Sequence, residues 1–374
     1  MLNPKTFKTM ITSPTLLVDE HKCRANIRRI VRKAEKHHLE FRPHFKTHQS
    51  VDIGSWFKDE GVSGITVSSV KMALYFARNG WKDITIAFPV NIREMEAINK
   101  LSEEISVTIL ISDPDIIGKL ADKAESTMGI MIEIDTGSNR TGLAVSQNEE
   151  IQKLIAGLSD FKNLEFKGFY SHPGHSYAAR SAKEIKEIHK NVLSKISDLV
   201  SGLSLDRKEF TICIGDTPCS SVATNFEGID QLSPGNLVFY DLMQVQIGSC
   251  SINEIAVALA CPVVAKYPSK NEIVVHGGAV HLSKEAMEEN GTKHFGLPAY
   301  LNENGWKASD ENGYVKSLSQ EHGIIRCSTA FMKTVSPGGL IAILPVHSCL
   351  CADLMGGYQS LGGETLNHLR TAGL

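Results

Sequence analysis

The chain has 374 residues, a formal net charge of −3 and 42% hydrophobic residues. That length supports a large core and exceeds one average domain, which predicts two. The near-neutral charge carries no basic footprint and argues against a nucleic-acid partner. No apolar run approaches the ~20 residues of a membrane helix.

The first ten residues carry Lys5 and Lys8 but no apolar core or cleavage site, so no signal peptide is expected. A strand-like run at 15–18 precedes the first helix and stands outside any count of eight barrel strands. It is expected to pair with a later β domain. Eight short apolar runs then follow at 40–45, 64–68, 83–88, 106–111, 129–135, 164–170, 210–214 and 229–232. Amphipathic stretches at 21–37, 51–59, 70–78, 92–103, 114–124, 147–158 and 182–200 separate them. Strands alternating with helices predict parallel βαβ units, and eight of them fit an α/β fold of the (β/α)8 TIM-barrel type. The competing doubly wound sheet lacks a glycine fingerprint after its first strand.

From about Ser251 the pattern changes. Runs at 255–265, 272–280, 323–327 and 340–345 read as strands, joined by links rich in Gly, Pro and Asn. The expected division is a barrel over 20–250 and a mostly β domain made of 1–19 and 251–374. The eight cysteines follow no framework and read for the most part as buried thiols in a reducing cytosol.

Three motifs carry chemistry. Phe41-Arg42-Pro43-His44-Phe45-Lys46-Thr47-His48 ends the first barrel strand, where alternation sets Arg42, His44, Lys46 and His48 on one face. Barrel enzymes place their chemistry at such strand ends. A lysine crowded by cations tends to the neutral amine that a Schiff base needs, although a solvated strand end with basic residues reads equally well. The seventh strand runs into Gly215-Asp216-Thr217-Pro218 and the eighth into Ser233-Pro234-Gly235-Asn236. These are the loops where barrels bind phosphate, though Gly and Pro also make ordinary turns there. Finally, His347-Ser348-Cys349 follows an apolar strand. An imidazole and a thiolate two residues apart on a strand form a zinc-type ligand pair, or simply two structural side chains. Cys351 would share that face, as a third ligand or as a packed thiol.

Taken together the chain resembles the fold-type III pyridoxal-phosphate enzymes, specifically the D-serine dehydratase and D-threonine aldolase group with its alanine racemase-like barrel. The resemblance rests on the lysine motif and on Asp135-Thr136-Gly137-Ser138-Asn139-Arg140-Thr141-Gly142. It also rests on Gly168-Phe169-Tyr170-Ser171-His172-Pro173-Gly174-His175-Ser176-Tyr177, on Pro234-Gly235-Asn236 with Tyr240-Asp241, and on Glu321-His322-Gly323. It implies that Lys46 anchors pyridoxal 5′-phosphate, that Arg140 meets the cofactor's phenolic oxygen, and that Tyr170 and His172 lie against its ring. It implies that Gly215, Thr217, Gly235, Asn236 and Tyr240 surround the phosphate. His347 and Cys349 would hold a divalent metal, zinc before manganese, and aldolases of the group carry Asp in place of the Cys.

The implied activity is a cytoplasmic, homodimeric lyase acting on a D-3-hydroxy amino acid. Dehydration to a keto acid and ammonia comes first, retro-aldol cleavage to glycine and an aldehyde second. Lys46 would remove the α-proton, and His48 is either a helper base or the support of a neighbouring backbone group. A racemase ranks lower, because Tyr267 in Lys266-Tyr267-Pro268 is no clear second base. A non-catalytic pyridoxal-phosphate-binding protein is likewise less favoured, on chain length and the His347–Cys349 pair. D-serine, D-threonine and 3-hydroxy-D-aspartate are all left open as substrates.

Overall fold

The structure is a computed structural model that describes residues 11–289, 291–302, 304–308 and 310–372. The first ten residues, where no signal peptide is expected, lie outside them. Two compact units result. One is Arg28–Lys46 with Gly54–Gly235; the other is the chain up to Ile27, Thr47–Ile53 and the chain from Asn236 onward.

After the opening strand β1 (Thr15–Val18), the first of these units holds β2 (Glu40–Phe41), β3 (Ile65–Val67), β4 (Asp83–Pro89), β5 (Ser106–Ile111), β6 (Met128–Asp135), the short β7 (Leu143–Ala144), β8 (Leu164–Ser171), β9 (Thr211–Ile214) and β10 (Gln231–Leu232). All but β7, a side branch on β6, run in the order β2-β10-β9-β8-β6-β5-β4-β3, and every pair is parallel. The ring closes where His44 bridges Thr66: Phe45 N–H donates to Thr66 O at 2.8 Å, and Thr66 N–H to Pro43 O at 2.9 Å. The eight expected barrel strands are all present.

Parallel strands are covered on both faces, so they read as unbroken apolar runs rather than alternation. β6 is buried along all but its last residue. Leu110, Met131, Tyr170 and Cys213, from four neighbouring strands, pack as one layer inside the ring. Between strands the helices keep their sequence-read limits within a few residues. Helix Val70–Arg78 begins at Ser69, whose hydroxyl accepts the N–H of Met72, and helix Ala182–Ser201 at Ser181, which does the same for Glu184.

The lysine motif departs from expectation. β2 stops at Phe41, and residues 42–48 form a bridge and turns rather than a continuing strand. Arg42 therefore does not share a face with Lys46. Its guanidinium, 5% exposed, binds Asp83 and Glu40 and donates to Thr85, at the start of β4. The ion pair outweighs the cost of burial and raises its pKa.

In the other unit β1 pairs antiparallel with β11 (Val257–Tyr267), Thr15 opposite Ala260 and Val18 opposite Val257, as anticipated for the opening strand. β11 also pairs with Leu340–Pro345 and with β12 (Glu272–His276), which in turn pairs with His322–Cys327. Ten strands make this sheet. Ile11, Leu17 and Ala260 form a core against Leu301, Trp306, Leu340 and Leu361. Gly296–Asn302, Gly305–Ala308 and Gly313–Leu318 were not foreseen as strands. Each opens on a positive-φ glycine, and none offers a long apolar run, so their pairing comes from the neighbouring strands. Among the described residues no helix is long and apolar enough to cross a membrane.

Gly168 shows how closely the barrel is built. It sits at the register shift where β8 bulges against β6, at φ +134°. A Cβ there would stand 1.9 Å from Thr211 O. Gly168→Ala is expected to cost about 3 kcal/mol or more in urea unfolding, because neither backbone can give way.

Candidate active site

Lys46 is half-buried, one residue beyond the ring closure. Its position is set by its neighbour: Phe45 is fully buried, with ring centroids 5.1, 4.9 and 5.0 Å from Phe57, Phe76 and Trp81. The Lys46 N–H donates to His44 Nδ1 at 3.3 Å, and His44 N–H to Pro234 O at 3.0 Å. The lysine backbone is thus tied to β3 and to the segment after β10.

On the barrel unit the Lys46 charge acts on His172, and Gly215 lies between His172 and Tyr170. His172 Nδ1 contacts the Gly215 carbonyl. Burial first, then the Lys46 charge, brings the His172 imidazole down to about 4, so it is neutral. Burial raises the Tyr170 phenol well above its ordinary value. Thr217, wholly buried, starts the helix Thr217–Val222, whose N-cap Asp216 accepts from Cys219 N–H at 2.8 Å and from Ser176 Oγ at 2.7 Å. A helix stands where an ordinary turn was the alternative. Lys33, unremarked in the sequence, holds the far end of that helix, its ammonium donating to the carbonyls of Ser220, Ser221 and Ala223 at 2.9, 2.6 and 3.1 Å.

Arg140 is carried by a loop that Asp135 organises. The Asp135 carboxylate accepts N–H groups from Gly137, Ser138 and Asn139 at 2.8, 2.8 and 2.9 Å. The Arg140 side chain is 55% exposed, with Nη2 3.9 Å from Oε1 of the buried Glu133, a loose pair that leaves the guanidinium reachable.

In the other unit His347 and Cys349 come together differently from the strand expected. His347 is the N-cap of helix Ser348–Met355, and Cys349 lies in its first turn. Each changes the other. Burial would lower the His347 imidazole, but Cys349, Asp241 and Glu285 raise it to about 9. Burial would raise the Cys349 thiol, but His347 and Thr47 hold it below its ordinary value. The two thus favour an imidazolium–thiolate pair, whose groups are also zinc-type ligands once the imidazole proton leaves. Cys351, two residues further on a helix, cannot share the face of Cys349. It is fully buried, and burial alone lifts its thiol to about 12. That is the packed thiol of the two readings. All eight cysteines are free, and all but the half-buried Cys250 and Cys349 are buried.

Asp241 is the support of this turn. Its carboxylate, 1% exposed, accepts from Asn236 Nδ2 at 2.7 Å, Ser348 N–H at 2.9 Å and Gln244 N–H at 3.0 Å. Asn236 Nδ2 also reaches Ser348 Oγ at 3.1 Å and Cys349 Sγ at 3.5 Å. The Asn236 amide therefore braces the His347–Cys349 turn, a task the phosphate reading had not given it. Tyr240 beside it is fully buried with φ +48°, a left-handed conformation rare for an aromatic residue. Gly235, on the barrel unit, is half-buried. Asp241 and Thr47 were inside recognised motifs but drew no role, since nothing local marks a carboxylate that acts 107 residues away.

His48 is fully buried and its Nδ1 accepts the Ser50 N–H at 3.1 Å, a backbone contact of the kind the support role needs. Burial and His368 hold its imidazole neutral to about 3. An unfolded histidine titrates near 6.5, so the unfolded chain binds the extra proton and stability falls as pH drops from 6.5 toward 3. Urea unfolding at pH 7 and pH 5 should show His48→Gln removing about 2 kcal/mol of that loss, one proton's share.

Residues 18–242 match the family described as "Alanine racemase, N-terminal domain", and residues 256–361 match "Putative serine dehydratase domain". The chain is 27% identical to D-serine dehydratase of Dictyostelium discoideum over 95% of its own length and 94% of the relative's. It is 24% identical to D-threo-3-hydroxyaspartate dehydratase of Delftia sp. (strain HT23), over 95% and 96%. The solved structure of that Delftia enzyme superposes with a TM-score of 0.88 at 21% identity, covering 97% of this chain and 98% of that one.

Proposed function

We propose, for a chain that belongs to the alanine racemase N-terminal domain family, a pyridoxal-phosphate- and metal-dependent lyase of D-3-hydroxy amino acids, with D-serine as first substrate. One observation carries the cation in this reading. Thr47 Oγ1 lies 3.3 Å from Cys349 Sγ and, with His347, holds that thiol below its ordinary value. The residues also suit both groups: a neutral imidazole beside a lysine suits a pyridine ring, and a thiol held acidic suits a soft cation.

Pyridoxal phosphate, when bound, supplies an electron sink for the charge left at the substrate Cα, and a divalent cation supplies Lewis acidity toward the 3-hydroxyl. Lys46 Nζ is the covalent anchor and, as a free amine, takes the α-proton. His172, held neutral, and Tyr170 would lie against the ring. Arg140 favours an ionised phenolic oxygen. The backbone of Gly215, Thr217, Gly235, Asn236 and Tyr240 takes the phosphate. His347 and Cys349 hold the cation, with Asp241 and Asn236 fixing their turn. Sulfur and nitrogen donors favour zinc over manganese.

Cys349, where aldolases of the group carry Asp, favours loss of hydroxide and a keto acid over carbon–carbon cleavage. Tyr267, at the end of β11, is no clear match for a racemase's second base. A cytoplasmic homodimer completes the reading, supported by the free thiols and by the family resemblance.

Chelator-treated protein should lose pyruvate release from D-serine and regain it with Zn²⁺ in a coupled keto-acid assay; full activity after metal removal excludes the metal role. His347→Ala should lower turnover about 100-fold or more at saturating cofactor. Lys46→Ala should yield no borohydride-reducible cofactor adduct by mass spectrometry, and a persisting adduct would displace Lys46 as anchor.

A further inference from the structure

Glu321-His322-Gly323 belongs to the recognised motifs yet has no part in the lyase chemistry. Glu321 lies in the turn before His322–Cys327, and two histidines face it. His276, the last residue of β12, has Nε2 3.4 Å from Glu321 Oε2. His281, in the short helix Ala279–Leu282, has Nε2 3.6 Å from the same oxygen. The two rings stand 5.7 Å apart and nearly perpendicular. All three ligand atoms lie within 4.8 Å of one another, and no other such group of three occurs among the described residues.

The cluster is built by a close backbone approach. Gly277 N–H donates to Glu321 O at 2.9 Å, and a Cβ on Gly278 would stand 2.3 Å from Gln320 O, so only glycine lets the end of β12 turn against residues 319–321. Gly278 N–H then donates to His281 Nδ1 at 3.1 Å, which aims Nε2 at Glu321.

The separations suit coordination better than hydrogen bonding. Nitrogen–oxygen hydrogen bonds centre near 2.9–3.0 Å, about half an ångström shorter than these contacts. Ligand atoms about 2.0–2.2 Å from a tetrahedral zinc are about 3.3–3.5 Å apart, close to the two distances observed. Burial lowers the His281 imidazole, so it is neutral and able to ligate near pH 7.

We propose that His276, His281 and Glu321 form a solvent-facing site for a zinc-type divalent cation, distinct from the His347–Cys349 pair. Two imidazoles and one carboxylate leave the fourth position to water or to a ligand from solution. Cation uptake replaces the Nε2 proton of His281, which moves to Nδ1 at the expense of the Gly278 hydrogen bond. The affinity expected is therefore micromolar rather than that of a closed structural site.

The test compares metal uptake of the full chain with that of Glu321→Gln and His276→Gln, each stripped with chelator and titrated with Co²⁺ to 1 mM, with thermal midpoints as the fold control. Wild type should take up about one equivalent more than either variant, whatever the His347–Cys349 pair binds. Equal uptake would overturn the site. An independent measurement uses unaltered protein: Zn²⁺ should protect His276 and His281, but not exposed His322, from diethyl pyrocarbonate in peptide mass mapping. Modification of His276 and His281 at an undiminished rate would overturn it as well.

Discussion

The burial of one aromatic ring sets the position of the amine. Phe45 fills the space between Phe57, Phe76 and Trp81, and its backbone N–H closes the ring of parallel strands through Thr66. A side chain that large, fully removed from water, is worth about 1.5–3 kcal/mol in transfer alone, and a void in its place costs more. The next residue has no freedom to choose its location. Lys46 is held at the C-terminal mouth of the barrel because Phe45 is held beneath it, and β2 can end at Phe41 without loss of register.

A second constraint of the same kind acts at the His347–Cys349 turn. Asp241 is almost completely buried, and its carboxylate is acceptable there only because donors from Asn236, Gln244 and Ser348 surround it. Gln244 and Ser348 stand at the starts of two helices, Leu242–Ile247 and Ser348–Met355, so one carboxylate fixes both. His347 and Cys349 inherit their mutual geometry from this arrangement. Their opposed pKa shifts follow, since each lies against the group that stabilises its charged form. His172 behaves oppositely: burial and the Lys46 charge outweigh Asp216 and drive it neutral.

Histidine burial divides the site into working and supporting parts. His48 stands two residues from Lys46 and carries a titratable ring, yet its Nδ1 is occupied by the Ser50 amide and its surroundings suppress protonation. Lys33 likewise spends all three ammonium protons on helix carbonyls. Both hold backbone through these hydrogen bonds.

The sequence alone determined the barrel, because parallel strands covered on both faces leave unbroken apolar runs, and amphipathic helices leave a 3.6-residue stripe between them. It also supplied candidates for the chemistry, through motifs whose residue types suit an amine anchor, a phosphate and a soft cation. It could not determine where a strand ends inside a motif, so Arg42 looked like a neighbour of Lys46 when it is the partner of Asp83. Nor could it tell that His347-Ser348-Cys349 begins a helix, that Asn236 braces that helix, or that Cys351 points into the core. Those outcomes depend on partners tens to hundreds of residues away, and only tertiary packing decides which buried donor meets which acceptor.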